Sequence, residues 1–180
     1  MSKELITIVQ NGDSVLRELA QTVPVKDITS DNIQNVIKKM RIALSTQNDG
    51  VAIAAPQIGA PLRIFVVSDY IMSQADKDYK STGNDLIFIN PEITKLSKIK
   101  HDVEEGCLSV RWKYGKVTRS VKATIKAYDE NGKKIQRGAS GLLAQVFQHE
   151  CDHLDGILFI DKAYDIEDIP PEKLQKENAE

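Results

Sequence analysis

The stretch from Ser140 to Gly156 constrains this chain more than any other. Read as a helix, it puts Leu142, Val146, His149 and His153 on one stripe, and Leu143, Phe147, Glu150 and Leu154 on the next. Both stripes are apolar until the histidines arrive, so the helix must be covered on most sides. Ser140 stands where an N-cap belongs and Gly156 where the helix should end. Any fold built round this segment has to bury two imidazoles and a carboxylate. That is costly unless they are paired or bound to a metal ion.

His149, Glu150 and His153 spell H-E-x-x-H. Imidazoles four residues apart share one helical face and can reach a single ion, with Glu150 to one side, placed to take a proton from water. A hydrogen-bonded core cluster is the alternative for the helix taken alone. A catalytic metal site needs about three protein ligands and one open position. His101 sits in a lysine-rich turn and reads as exposed. Cys107, within Glu105-Gly106-Cys107-Leu108-Ser109, is the better third ligand, because a thiolate suits zinc or ferrous iron. Gly106 opens a backbone path that a side chain would block. By itself a Gly-Cys pair is more commonly packing than chemistry.

Elsewhere, Ile33, Val36, Ile37, Met40 and Leu44 follow helical spacing from Asp31 to about Thr46, with Asp31 and Gln34 in a capping arrangement. Strands are predicted at Leu62 to Val67 and at Leu86 to Ile89, the second stopped by Asn90-Pro91. The polar stretch Ser73 to Asn84 between them reads as a mobile loop. From Lys116 to Gly138, Val121, Ala123, Ile125 and Ala127 alternate with Lys122, Thr124 and Lys126, and Asn131-Gly132 marks a hairpin. This order predicts an α+β fold rather than a wound parallel sheet.

The 180 residues fit a single domain, 1–180, ending in a short polar tail from about 166 that could be helical. With 24 basic and 26 acidic residues the net charge is -2, which gives no broad attraction to DNA or to an anionic membrane. No run approaches the ~18 apolar residues of a membrane span, and Met1 to Ala20 does not read as a signal peptide. A cytoplasmic protein is expected. Cys107 and Cys151 are then reduced thiols rather than a disulfide.

Three ordered segments resemble the peptide deformylase family: Gly50-Val51-Ala52-Ile53-Ala54-Ala55-Pro56-Gln57 for its G-x-G-x-A-A-P-Q, Glu105 to Ser109 for E-G-C-L-S, and Gln148 to His153 for Q-H-E-x-D-H. Gly12-Asp13-Ser14-Val15-Leu16-Arg17 is similar to the family's G-D-P-V-L-R, with serine in place of proline. The resemblance implies antiparallel sheets around a central metal-binding helix. It implies one divalent metal on Cys107, His149 and His153, usually Fe(2+) in vivo, with Zn(2+), Ni(2+) or Co(2+) in purified protein. It makes Glu150 the general acid/base, and Gln57 with the backbone N–H of Leu108 an oxyanion hole. The substrates it implies are N-formylmethionyl nascent peptides, deformylated with release of formate.

By motif position the methionine pocket is lined by Val51, Val103, Leu142 and Val146, with Gln145 at its edge, and Ala52 and Gly106 are further substrate-binding positions. Ala52 replaces the usual second glycine, and its methyl is expected to narrow the cleft. Arg111-Trp112 follows Ser109-Val110 where many members have proline; Arg111 either meets a peptide carbonyl or is a solvated loop charge, and Trp112 reads as packing. A transient ribosome contact, made in relatives by a longer basic C-terminal helix, is left open by the net acidic stretch Asp161 to Glu180. The competing readings are an H-E-x-x-H metallopeptidase with a downstream ligand near Asp161, Asp165 or Glu167, a Cys107-nucleophile enzyme, and a non-catalytic peptide-binding homologue.

Overall fold

A computed structural model describes residues 6–75 and 79–170. Its elements run α1 (Asp31–Ser45), β1 (Ala52–Ala54), β2 (Ile64–Val67), α2 (Asp69–Ala75), β3 (Leu86–Leu96), β4 (Lys100–Gly106), β5 (Lys113–Ser120), β6 (Lys122–Tyr128), β7 (Lys134–Ser140), α3 (Gly141–Leu154) and β8 (Tyr164–Asp168). Two antiparallel sheets result, a five-stranded one in the order β1-β2-β3-β6-β7 and a three-stranded one in the order β4-β5-β8. The α+β expectation holds.

β2 lies between β1 and β3 and is buried on both faces, which explains the unbroken apolar run Ile64-Phe65-Val66-Val67. Phe65, Val67 and Phe88 face α3, where Leu143, Val146, Phe147, Cys151 and Leu154 join them in one cluster. Ile64, Val66, Ile87 and Ile89 face the other way, onto Ile33, Ile37, Met40 and Leu44 of α1. Phe88 stacks on Phe65 with centroids 4.6 Å apart and meets Phe147 edge-on at 5.2 Å. Helix α3 also packs against β5 of the smaller sheet, so it is enclosed as its stripes require except at Leu142, which is 44% exposed.

Several boundaries differ from the pattern-based expectation. β3 continues through Asn90-Pro91 to Leu96, because the pairing with β6 is interrupted there: Pro91 has no N–H to give, and the register shift between Ile89 and Glu92 removes the need for one. Asn90 takes φ 50° at this bulge, and its side chain bonds both backbone groups of Val23, at 2.8 and 2.7 Å. Helix α2 occupies Ser73 to Ala75, so the expected loop is shorter. Asp69 organises its far side, accepting from Tyr79 Oη at 2.6 Å and from the Thr82 N–H at 3.1 Å. Gln34 does not cap α1; it donates to the carbonyls of Ile28 and Glu130, at 2.8 and 2.9 Å. Ile166, Glu167 and Asp168, expected in the tail, belong to β8 and pair with β5. The expected helical character falls on residues 171–180, which lie outside the described residues.

Candidate metal centre and its cleft

Helix α3 and the turn after β4 bring the predicted ligands together. One ligand atom from each of Cys107, His149 and His153 lies within 4.8 Å of the others, and Cys107 Sγ is 3.2 Å from His153 Nε2. Gly156, with φ 74°, ends the helix two residues after Leu154, where a Cβ would sit 2.6 Å from the Arg17 carbonyl oxygen. Gly106 serves the site differently: a Cβ there would meet the Tyr114 ring at 2.6 Å, so only glycine lets β4 and β5 close up beside Cys107.

Charge is arranged in a buried chain behind the ligands. Glu105 Oε2 lies 2.9 Å from His149 Nδ1. Arg119 grips the same carboxylate with two bonds of 2.7 and 2.9 Å and reaches Asp152 at 2.6 Å. Lys162 closes the chain on Asp152 at 2.7 Å. Burial alone would raise the Glu105 carboxyl, but the bonds from Arg119 and His149 outweigh it and hold its pKa at about 2. Burial likewise opposes charge on His149, but hydrogen bonds to Cys107 and Glu105 prevail and raise its pKa. His153 is pushed down, first by burial and then by His149.

Glu150 is 4% exposed, and its Oε2 has no partner among the described groups. Burial lifts its carboxyl to about 7, so it can hold or release a proton near neutrality. Gln57, on the turn after β1, is 2% exposed. Its Oε1 accepts from the Ala54 N–H at 2.8 Å, which turns Nε2 toward Ser109 Oγ at 3.1 Å and Cys107 Sγ at 3.6 Å. Residues 9–11 tie both loops together: Val9 N–H bonds Gln57 O at 2.9 Å, Gln10 Nε2 bonds Leu108 O at 3.0 Å and Asn11 N–H bonds Ser109 O at 2.7 Å.

A cavity of about 260 Å³ opens beside the cluster. Its walls include Val51, Ala52, Gly106, Leu108, Leu142, Gln145 and Val146, together with Gln57, Cys107, His149 and Glu150. On β4 the wall runs from Glu104 to Gly106, and Val103 immediately precedes it. Gln145 is anchored at the edge by a 2.8 Å bond to the Glu104 carbonyl. Ala52 faces the core cluster shared with α3, while Ile53 faces α1. Its methyl thus projects from the face of β1, out of the plane of the strand's unpaired edge. Arg111 is not a solvated loop charge: it is ion-paired with Asp49 and its side chain is 18% exposed. His101 is exposed as expected, and Cys151 is a core residue whose thiol burial pushes up to about 12. Asp161 pairs with Arg17 and Asp165 with Lys116, and neither of them nor Glu167 joins the cluster.

The donor set fits a divalent ion. With Nδ1 of His149 engaged by Glu105, Nε2 is left for the metal, beside a soft thiolate and the inward-facing Nε2 of His153. Two imidazoles and a thiolate around an open cavity, with a buried carboxyl alongside, define the class of metal-dependent hydrolase sites that keep a position for water. The sequence model described as Polypeptide deformylase matches residues 5–168, and the chain belongs to the peptide deformylase family, hydrolases that remove the N-formyl group from methionine. It is 42% identical over 160 residues to the peptide deformylase of Carboxydothermus hydrogenoformans, covering 88% of this chain and 93% of that one. It is 41% identical to the chloroplastic peptide deformylase 1A of Solanum lycopersicum over 86% of this chain, and spans 58% of that protein's length. The crystal structure of the Thermotoga maritima peptide deformylase superposes with a TM-score of 0.76 at 32% identity, over 89% of this chain and 99% of that one.

Proposed function

We propose that this chain hydrolyses the N-formyl group from the N-terminal methionine of newly synthesised proteins and releases formate, in the cytoplasm. The observation that carries the reading is the Cys107, His149 and His153 triangle, beside Glu150, whose Oε2 has no partner among the described groups, and the amide of Gln57 aimed at Cys107. A divalent metal held by the triangle supplies Lewis acidity and lets water ionise near neutral pH. Fe(2+) is our choice for the native ion on the family resemblance alone, because a thiolate with two imidazoles suits Zn(2+), Ni(2+) or Co(2+) equally well.

Glu150 takes the proton from the attacking water and later delivers it to the departing amine, a task that suits a carboxyl lifted to about 7. Gln57 Nε2 and the Leu108 N–H donate to the oxygen that becomes negative as the formyl carbon turns tetrahedral. The methionine side chain lies against Val51, Leu142 and Val146, and the peptide runs extended along the unpaired edge of β1. We take residues 1–180 as one catalytic domain. Among the described residues no helix is long and apolar enough to cross a membrane.

The test is hydrolysis of a formyl-methionyl peptide and its acetylated twin by metal-loaded protein. Formate should appear from the first and almost no acetate from the second. Equal turnover, or cleavage of internal peptide bonds, overturns the reading.

A further inference from the structure

Arg111 and Asp49 sit 62 residues apart in sequence and face each other on the cavity wall. The guanidinium grips the carboxylate at both ends, Nη1 to Oδ2 at 2.5 Å and Nη2 to Oδ1 at 3.1 Å. Nη2 also bonds Gln47 Oε1 at 2.9 Å, and the group lies 4.5 Å from the centre of the Trp112 ring. Arg111 is thus held on three sides, and its side chain is only 18% exposed although it lies on a loop.

The two loops it joins are the two walls of the cleft. Residues 47–50 lead into Val51 and Ala52; residues 107–112 carry Cys107 and Leu108. A peptide whose formyl end reaches the ligand cluster must leave the cavity between them. The width of that exit then depends on what ties one wall to the other. Asp49 is half exposed, but a bidentate Arg–carboxylate pair whose guanidinium is stacked on an indole is a stiff tie, because the planar fork permits few alternative geometries.

We propose that the Asp49–Arg111 pair is a tie across the cleft that sets the spacing of its walls for the residues following methionine. It is a positioning device for longer peptides, and it touches none of the reacting atoms. This rests on the function proposed above. It separates two roles that one arginine on a cleft wall can play. A tie needs both partners, so Asp49→Asn should act in the same direction as Arg111→Gln, and less strongly because Gln47 still holds the guanidinium. A direct contact from Arg111 to a peptide carbonyl needs only the arginine.

The experiment compares Asp49→Asn, Arg111→Gln and Arg111→Lys in the full metal-loaded chain, with formyl-Met-Ala-Ser and formyl-methionine amide as substrates. Arg111→Gln should raise the ratio of KM for the tripeptide to KM for the amide about fivefold, the scale of one ion pair, and Asp49→Asn should raise it less because Gln47 still holds the guanidinium. The kcat for the tripeptide should fall much less, and Arg111→Lys should lie between wild type and Arg111→Gln. Calorimetric Kd values for the product peptide Met-Ala-Ser should follow the same order. An effect confined to Arg111→Gln overturns the tie in favour of a direct contact, and unchanged ratios overturn it outright. If wild type binds Met-Ala-Ser without releasing formate from either substrate, the activity reading fails and the Kd series still decides the tie.

Discussion

Glu105 Oε2 and His149 Nδ1 are 2.9 Å apart, and this contact decides which imidazole nitrogen faces the cleft. A carboxyl held at about 2 is ionised and can only accept, so Nδ1 must carry a proton and Nε2 is the nitrogen left to bind a metal ion. Arg119 secures the arrangement from behind.

Removing that support should weaken the metal site without touching a ligand. Glu105→Ala is expected to lower metal affinity by about 10–100-fold, the usual cost of losing such a partner. Competition titration with a chelating indicator measures it.

Arg119 has a different failure mode. Arg119→Met leaves Glu105, 4% exposed, without its arginine counter-charge, while Asp152 keeps Lys162. The expected loss is about 3–5 kcal/mol of stability, read from denaturant unfolding. A loss below about 1 kcal/mol would mean that water reaches these carboxylates.

Gln57→Leu should lower kcat for a formyl peptide by about 10²–10³ while KM changes far less, since the amide works on charge that exists only in the transition state. It should also cost about 1–3 kcal/mol of stability, because the Ala54 N–H loses its acceptor. A rise in KM with kcat intact would make Gln57 a binding group only.

Ala52 has a packing role in this structure. Ala52→Gly is expected to cost about 1 kcal/mol through strand entropy and the lost methyl. The ratio of kcat/KM for tripeptide and formyl-methionine amide should stay unchanged, since the methyl projects from the face of β1 and not from its edge. A selective gain on the tripeptide would show that the methyl narrows the cleft.

Helix α3 and its ligands were legible because a 3.6-residue period and a short motif are local signals. The alternation in β6 was legible for the same reason, and Ala123, Ile125 and Ala127 are all buried. β3 was cut short because Asn90-Pro91 carries turn chemistry that here serves a bulge inside a strand. The Glu105–Arg119–Asp152 chain escaped notice because it depends on how β4 registers against β5 and on the approach of α3. One signal did exist: Arg119 occupies an inward position of β5 after Gly115 and Val117, and a charge placed there calls for a buried partner. Asp49 and Arg111 gave no such hint, being loop residues joined only by the tertiary fold.

The central claim is that one buried cluster holds the metal while a neighbouring carboxyl moves the proton. Metal content measured beside formate release in Cys107→Ala, His153→Ala and Glu150→Ala tests it most directly. The account predicts that the two ligand variants lose most of their metal, and that Glu150→Ala keeps close to one ion per chain while turnover collapses. A full complement of metal in both ligand variants, or brisk formate release from Glu150→Ala, would contradict it.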